Sequence, residues 1–236
     1  MKHGDFMLVI SKKRIIFLCL TLIVSISYFS FIVTPTSIPT SSTPVSSHII
    51  VLDAGHGYPD GGAINNDGLS ESEINLKIIQ KLQELLEASN CTVILTRSDE
   101  NGIYDANAKK KKVSDLKNRV SIVNSSNADI LISIHLNKIS QSQYYGWQSF
   151  YQKNNENSKN LAKSIQNNLN YSIQRENKRE CLPISNIYLM DNSKIPSVIV
   201  ECGFLSNPED SSYLQTDKYQ NNLAWGIYTG IMDYFK

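Results

Sequence analysis

Apolar residues occur along most of this chain in short unbroken runs, which alternate with stretches where they recur every third or fourth residue. Short runs are typical of buried strands, whereas the longer repeat is typical of helices. The runs predict strands at residues 48–54, 92–96, 129–136, 148–152, 187–190 and 197–201. The repeats predict helices at residues 70–88, 116–123, 158–169, 209–214 and 216–234.

Strands that alternate with helices indicate an α/β fold. We expect a mostly parallel or mixed twisted sheet of about six strands, with helices on both of its faces. The nearly continuous apolar run at 129–136 agrees with a strand buried on both sides. No break is visible between residues 48 and 236, so this part is expected to form one domain.

The first of these helices begins with a capping pattern. Ser70 precedes the apolar repeat and Glu73 follows three residues later, which is the spacing of a capping box. This interpretation gives Glu73 to the helix end and leaves Glu71 free for another role.

The first 47 residues differ in composition from the rest. Residues 1–14 carry four basic side chains and one acidic side chain, residues 15–33 carry no charge, and residues 34–47 are rich in Ser, Thr and Pro. An uncharged helix of this length nearly crosses a bilayer, and the preceding positive charge keeps the N-terminus in the cytoplasm. We therefore expect a cytoplasmic basic segment (1–14), a transmembrane signal anchor (15–33), a linker (34–47) and an extracytoplasmic domain (48–236). A cleaved signal peptide is the alternative, but no alanine precedes Ala54 to form a typical cleavage site.

The domain itself is slightly acidic, because the total charge of +1 minus the +3 of the N-terminal segment leaves −2. This charge argues against a nucleic-acid partner. The four cysteines do not make a disulfide framework, since Cys19 lies in the apolar segment and an odd number remains in the domain. Cys91 and Cys202 are expected in the core. A catalytic thiol at Cys202 with His135 as its base is the alternative.

Two histidines and two glutamates are the strongest candidates for chemistry. His56 lies in a glycine-rich turn after the first predicted strand, His135 and Glu201 end two later strands, and Glu71 opens the first helix. Sites in α/β sheets gather at the carboxyl ends of strands, so these side chains are expected to converge. Two imidazoles and a carboxylate make a catalytic zinc site, and a second carboxylate serves as general base. The four residues indicate a metal-dependent hydrolase.

Each of the four also has a structural interpretation. His56 could be an exposed turn histidine, Glu71 a carboxylate favoured by the helix dipole, and His135 a satisfied core histidine. A purely structural role is hardest to defend for Glu201, because a carboxylate in an apolar strand is costly to bury without a partner or a cation.

Other signatures point away from common enzyme classes. Gly55 and Gly57 are not followed by the third glycine of a dinucleotide site, and no Gly-x-Ser-x-Gly elbow occurs. The lysine run at 109–112 is expected to be solvated, with contact to an anionic polymer as the alternative.

Seven stretches of the domain carry a specific resemblance. They read VLDAGHGYPDGGA, GLSESEINLKI, VILTRSDE, LKNRVSIVN, DILISIHLN, GWQSFY and VIVECGFLSNPED. In this order they resemble the amidase-3 family of zinc-dependent N-acetylmuramoyl-L-alanine amidases, and within it the germination-specific enzymes of the spore cortex. The chain departs from the family at Tyr58-Pro59, where a second glycine is usual, and in a longer loop at 100–112.

The resemblance implies that His56, Glu71 and His135 bind one Zn²⁺ and that Glu201 is the catalytic glutamate. It implies hydrolysis of the amide between the lactyl group of N-acetylmuramic acid and L-alanine, in cortex modification leading to muramic-δ-lactam. Asn137 and Arg179 are the candidates for substrate binding. The expected partners are peptidoglycan, the membrane through the N-terminal helix, and an activating protein; a spore-cortex enzyme would lie in the forespore intermembrane space.

Three alternative functions stay open on the sequence. A zinc carboxypeptidase would need a cation for a free terminal carboxylate, and Arg119 and Arg179 are the candidates, although neither adjoins the site motifs. A non-catalytic wall-binding protein would be expected to lack one of the four site residues. The third alternative is an enzyme that stays inactive until a partner protein docks.

Overall fold

The computed structural model describes residues 11–13, 21, 48–65 and 67–236. By contacts the chain divides into two compact units, Met1–Pro44 and Val45–Lys236, and the second contains all the strands and helices named below. The expected basic segment, signal anchor and linker lie almost entirely outside the described residues. In the part that is described, no helix has both the length and the apolar character needed to cross a membrane.

Strands and helices alternate through the described domain, as the apolar pattern predicts. The strands are β1 Ile49–Ala54, β2 Thr92–Leu95, β3 Ile130–Asn137, β4 Gln148–Gln152, β5 Leu182–Ile184 and β6 Ser197–Phe204. The helices are α1 Glu71–Ala88, α2 Lys111–Ser125, α3 Glu156–Ser172, α4 Tyr188–Asn192, α5 Pro208–Leu214 and α6 Asp217–Tyr234.

The strands form one sheet in the order β2-β1-β3-β6-β4-β5. Four neighbouring pairs are parallel and the β4–β6 pair is antiparallel, so β4 and β5 run opposite to the other four strands. The expectation of a mostly parallel sheet of about six strands is therefore confirmed.

Helices cover both faces of the sheet, but unequally. On one face, alternate residues of β1, β3 and β6 pack against α1, α3 and α6 in a large apolar core. On the other, a small cluster joins the sheet to α2 and α4; it contains Val51, Val123, Ala128, Leu131 and Leu189. Cys91 and Cys202 are buried and unpaired, as expected of core cysteines.

Two local predictions are wrong. Residues 187–190 were expected to form a strand, but they belong to α4, and the sixth strand is the short β5 instead. An apolar run of only four residues does not distinguish a strand from one turn of helix, which explains the error.

The capping box at Ser70 is also absent. Ser70 takes the N-cap position without a side-chain bond to the helix, and Glu73 pairs with Lys77 instead. The incoming loop supplies the missing acceptors, because the Glu71 and Ser72 amides donate to the carbonyls of Ala63 and Gly61. A side-chain cap is therefore unnecessary.

Candidate metal centre and active site

The candidate site lies where the small apolar cluster ends, at the carboxyl ends of β1, β3 and β6. Asp53 is in register with Ser133, and His135 is in register with Glu201. Paired residues of neighbouring strands point to the same side of a sheet. The parallel register of β3 and β6 thus places His135 and Glu201 side by side on this face.

His56 reaches the same place from the turn that follows β1. Its backbone has φ 64°, in the left-handed region that side chains other than glycine rarely adopt. Two buried arginines hold this turn from behind: Arg97 donates to the carbonyls of Ala54 and Gly55, and Arg119 donates to those of Ala54 and His56. The turn that presents His56 is therefore held in place through its backbone carbonyls, by the two arginines.

Glycine at position 55 is required by a close approach. A Cβ added to Gly55 would lie 2.3 Å from the imidazole of His135. Only a residue without a side chain lets the His135 ring pack directly over this turn.

Behind the turn, Asp53 and Arg119 form a fully buried ion pair. Their Oδ1 and Nη1 atoms are 2.6 Å apart, and each side chain is only 2% exposed. Thr96 and Ser133 also donate to the Asp53 carboxylate. Burial raises the pKa of Asp53, but the Arg119 guanidinium and these two hydroxyls outweigh burial and lower the pKa to about 2.

Glu71 occupies the first turn of α1, beneath the two histidines. Its Oε1 lies 3.3 Å from Nε2 of His56 and 3.0 Å from Nδ1 of His135. The amides of Ala63 and Leu136 donate to the same carboxylate. Burial raises the pKa of Glu71, but the hydrogen bonds and positive charge of the histidines outweigh it, so this pKa falls well below its usual range.

These three side chains fit a metal ion. Their ligand atoms all lie within 4.8 Å of one another, with one oxygen between two imidazole nitrogens. Gly62 shapes the cradle, because a Cβ there would lie 2.5 Å from Oε2 of Glu71 and 2.7 Å from Cδ2 of His56. Two imidazoles and a carboxylate are a donor set that zinc prefers.

Asp60 orients His56 from the solvent side. Its Oδ2 lies 3.2 Å from Nδ1 of His56 and 3.0 Å from Nζ of Lys112. Burial raises the pKa of Asp60, but the hydrogen bonds from Lys112 and His56 outweigh burial and lower this pKa. A carboxylate at Nδ1 leaves Nε2 of His56 facing Glu71, as a ligand nitrogen requires. Lys112 is therefore part of the site surroundings and not merely a solvated member of the lysine run.

Glu201 completes the group on β6. Its Oε2 is sealed from water and accepts no hydrogen bond. Burial raises the pKa of Glu201 to about 7, and the nearby charge of Glu71 also raises it, against the opposing influence of His135 and His56. Burial lowers the pKa of His135, but Glu71 and Glu201 outweigh burial and raise it. Such an unpartnered carboxylate is typical of a functional group.

The other candidates lie around the centre and not in it. The main chain of Asn137, at the end of β3, accepts a hydrogen bond from the Leu205 amide. Arg179 contacts β4 and β6, where it bonds Gln148 and lies over Phe204. Burial raises the pKa of the Cys202 thiol well above its usual value, which disfavours the thiol alternative.

Arg119 was expected to lie apart from the site motifs, but in the structure it adjoins them directly. It is 2% exposed, and its donors are directed at Asp53, Asp115 and backbone carbonyls. No donor is left to bind a terminal carboxylate, so Arg119 does not support a carboxypeptidase.

Sequence reasoning missed Asp53, Asp60, Arg97 and Lys112. A signal for Asp53 was available, because a carboxylate at the end of an apolar strand needs a buried cation as much as Glu201 does. Asp60 and Lys112 carry no such signal, since their meeting depends on how two loops fold together.

Fold and site together are typical of a metal-dependent hydrolase: an α/β sheet with a three-residue ligand cluster and a buried carboxylate at its strand ends. The family model described as N-acetylmuramoyl-L-alanine amidase (Amidase_3) matches residues 50–233. The chain belongs to this family and is an N-acetylmuramoyl-L-alanine amidase.

Individual relatives agree with this assignment. The chain is 38% identical, over 82% of each protein, to the germination-specific N-acetylmuramoyl-L-alanine amidase of Bacillus subtilis. It is similar to the CwlD amidase of Clostridioides difficile, solved in complex with the GerS lipoprotein, with 46% identity and a TM-score of 0.78 over 80% of this chain and 98% of that one. An N-acetylmuramoyl-L-alanine amidase of Clostridium difficile 630 matches 80% of this chain and 97% of its own, with 28% identity and a TM-score of 0.71.

Proposed function

We propose that His56, Glu71 and His135 hold one zinc ion, and that Glu201 is the general base with which the chain hydrolyses the lactyl amide of peptidoglycan. The single observation that carries the proposal is the environment of Glu201. Its sealed oxygen has no hydrogen-bond partner, and its strand register places it beside His135. A buried carboxylate with no structural partner is what a proton-transfer role requires.

Zinc, when bound, supplies a Lewis acid that polarises a carbonyl and makes water acidic. Glu201 accepts a proton from the attacking water as the new C–O bond forms. When the C–N bond breaks, Glu201 returns this proton to the nitrogen of L-alanine, which leaves poorly as an anion. One carboxylate can serve both steps because the proton that it takes from water is the proton that it gives to nitrogen.

The remaining groups of the site hold its geometry. Asp60 orients the His56 ring, and Arg97 and Arg119 fix the backbone of its turn. A ligand set held in advance loses little freedom when the ion binds. Rate and metal affinity are therefore expected to depend on residues that never touch the substrate.

The biological setting is proposed by similarity. The germination-specific relative and the CwlD amidase support a role in modifying the spore cortex before germination. Such a role places the domain outside the cytoplasm, where the substrate is. The CwlD amidase was solved in complex with a lipoprotein, which supports a protein partner for this chain also.

The test is Glu201→Gln, measured on purified peptidoglycan with the zinc-loaded chain. Wild type should release intact stem peptides and leave free lactyl groups, both detectable by mass spectrometry. Glutamine keeps the shape of glutamate but cannot accept the proton, so the rate should fall by roughly 10²- to 10⁴-fold. Zinc content and thermal midpoint should stay near those of wild type.

The matched control is Glu73→Gln, on the exposed side of α1. It removes the same charge two residues from Glu71 and should leave the rate unchanged. A folded, zinc-loaded Glu201→Gln variant with near-normal activity would end the assignment. A lower thermal midpoint with an unchanged rate would make Glu201 a structural carboxylate instead.

A further inference from the structure

The catalytic residues belong to a row that continues beyond them across the sheet. His135 of β3 pairs with Glu201 of β6, and Glu201 pairs in turn with Gln148 of β4. The three side chains therefore share one face at one level of the sheet. Neighbouring strands lie roughly 4.8 Å apart, so Gln148 is about 10 Å from His135 along this row.

Arg179 stands at the far end of the row. Its Nη1 donates to Oε1 of Gln148 at 3.1 Å, and its Nε donates to the carbonyl of Tyr145 at 2.9 Å. Its Cζ lies 4.5 Å from the centre of the Phe204 ring. These contacts, with a further one to the Tyr144 ring, hold this guanidinium beside Gln148, the last residue of the row.

The guanidinium of Arg179 has donors to spare. An arginine has five N–H groups, and two of them account for the bonds to Gln148 and Tyr145. Among the described residues, no carboxylate lies within ion-pair distance of Arg179. Its Nη2 donates to no described group, and the side chain is only half-buried.

The other described arginines are used differently. Arg119 pairs with Asp53 and Asp115, and Arg175 pairs with Glu209 and Asp210. Arg97 lacks a carboxylate partner but is buried, with its donors on backbone carbonyls. Arg179 is therefore the described arginine whose charge is accessible, oriented and uncompensated.

We propose that Arg179 binds a carboxylate of the stem peptide, and that Gln148, which pairs with Glu201 across the sheet, holds the guanidinium for this purpose. The proposal rests on the proposed amidase site, because the distance is counted from it. Arg179 lies next to Gln148, which is about 10 Å from His135, and an extended peptide advances roughly 3.3 Å per residue, so the carboxylate would lie about three or more residues beyond the scissile amide. Planar arginine matches a carboxylate with two parallel hydrogen bonds.

Binding to soluble glycan strands with tripeptide stems tests this directly. The strands are used as isolated and after their carboxylates are converted to amides. The full chain carries Glu201→Gln so that the strands stay intact, and Arg179→Ala is added to it. This addition should weaken binding to the native strands roughly 10- to 100-fold, the usual effect of losing a hydrogen bond to a charged group. It should leave binding to the amidated strands unchanged.

Two further variants separate specific recognition from general charge. Arg179→Lys keeps the charge but loses the two-pronged geometry, so its affinity should fall between those of wild type and Arg179→Ala. Lys178 is one residue away, exposed to solvent and paired with Glu176. Lys178→Ala should bind both kinds of strand as the parent Glu201→Gln chain does. With active chains, Arg179→Ala should raise KM by the same factor and leave kcat nearly unchanged.

The outcomes separate this proposal from the amidase proposal. If Arg179→Ala weakens native and amidated strands equally, or neither, the carboxylate assignment is overturned, whatever the activity of wild type. If wild type leaves peptidoglycan uncut but the selective loss of binding is seen, the Arg179 site stands and the proposed catalysis fails.

Discussion

The two faces of the sheet are built from the same strands but differ in what they contain. One face is an apolar core shared by β1, β3, β6 and three long helices. The other carries a small apolar cluster and then, toward the carboxyl ends of the strands, Asp53, Ser133, His135 and Glu201. The large face is organised for stability and the small face for chemistry.

Strand β3 shows how one segment serves both faces. Ile130, Ile132 and Ile134 point into the large core, whereas Leu131, Ser133 and His135 point the other way. Side chains of a strand alternate with a period of two, so neighbouring residues belong to different environments. Substitutions one position apart should therefore differ in kind as well as in size.

Asp53→Asn should have the largest effect on stability. It removes the negative charge from a fully buried pair and leaves Arg119 with Asp115 alone. Breaking a buried ion pair from one side costs about 3–5 kcal/mol, which urea denaturation would measure. Because Arg119 also holds the His56 turn, zinc affinity should fall too. A stable variant with normal zinc affinity would contradict the link between this pair and the metal site.

Acid should reproduce part of this effect in wild type. The pKa of Asp53 falls from its ordinary value of 3.8 to about 2, so the folded state favours the ionised carboxylate. This stabilisation, about 2 kcal/mol, is present above pH 4 and is lost as the pH falls from about 4 to 2. Asp53→Asn should lack this portion of the acid dependence, which urea titrations at several pH values would reveal.

A change confined to the large face should separate stability from chemistry. Leu223 of α6 is fully buried in the large core, away from the site face. Leu223→Ala should cost about 2–5 kcal/mol of unfolding free energy because it leaves a cavity. Zinc affinity and rate per folded molecule should stay unchanged, as measured below the unfolding transition. A loss of zinc from the folded variant would show that the two faces are coupled.

The smallest expected effect concerns the solvent side of His56. Asp60→Ala removes the carboxylate at Nδ1 of His56 and should weaken zinc binding about 10- to 100-fold, as measured by chelator competition. Asp60 is partly exposed, so the unfolding free energy should change little. Asp67→Ala is the matched control in the same loop and should bind zinc normally. Equal affinity in both variants would remove Asp60 from the support of the metal site.

Much of this organisation could be predicted from the sequence, because the apolar pattern is strong in the buried strands. β4 was predicted with its observed bounds, and β1, β3 and β6 were each located to within a few residues. The convergence of His56, His135 and Glu201 followed from the rule that sites lie at strand ends. Glu71 joins them through its position in the first turn of α1.

The rest depends on contacts that no local pattern encodes. Lys112 meets Asp60, and Arg179 meets Gln148, only after distant loops have folded together. The absent cap at Ser70 has the same cause, since the loop carbonyls of Gly61 and Ala63 satisfy the helix amides. Local rules failed where tertiary contacts supplied a competing partner.

The strand order also has a consequence for the tendency of the chain to aggregate. The outermost strands are the short β2 and β5, with four and three residues. Pro183, in the middle of β5, has no amide hydrogen to offer another chain. Short edges interrupted by proline are poor templates for pairing between molecules. The long apolar strands, which would aggregate if they were exposed, are enclosed in the middle of the sheet.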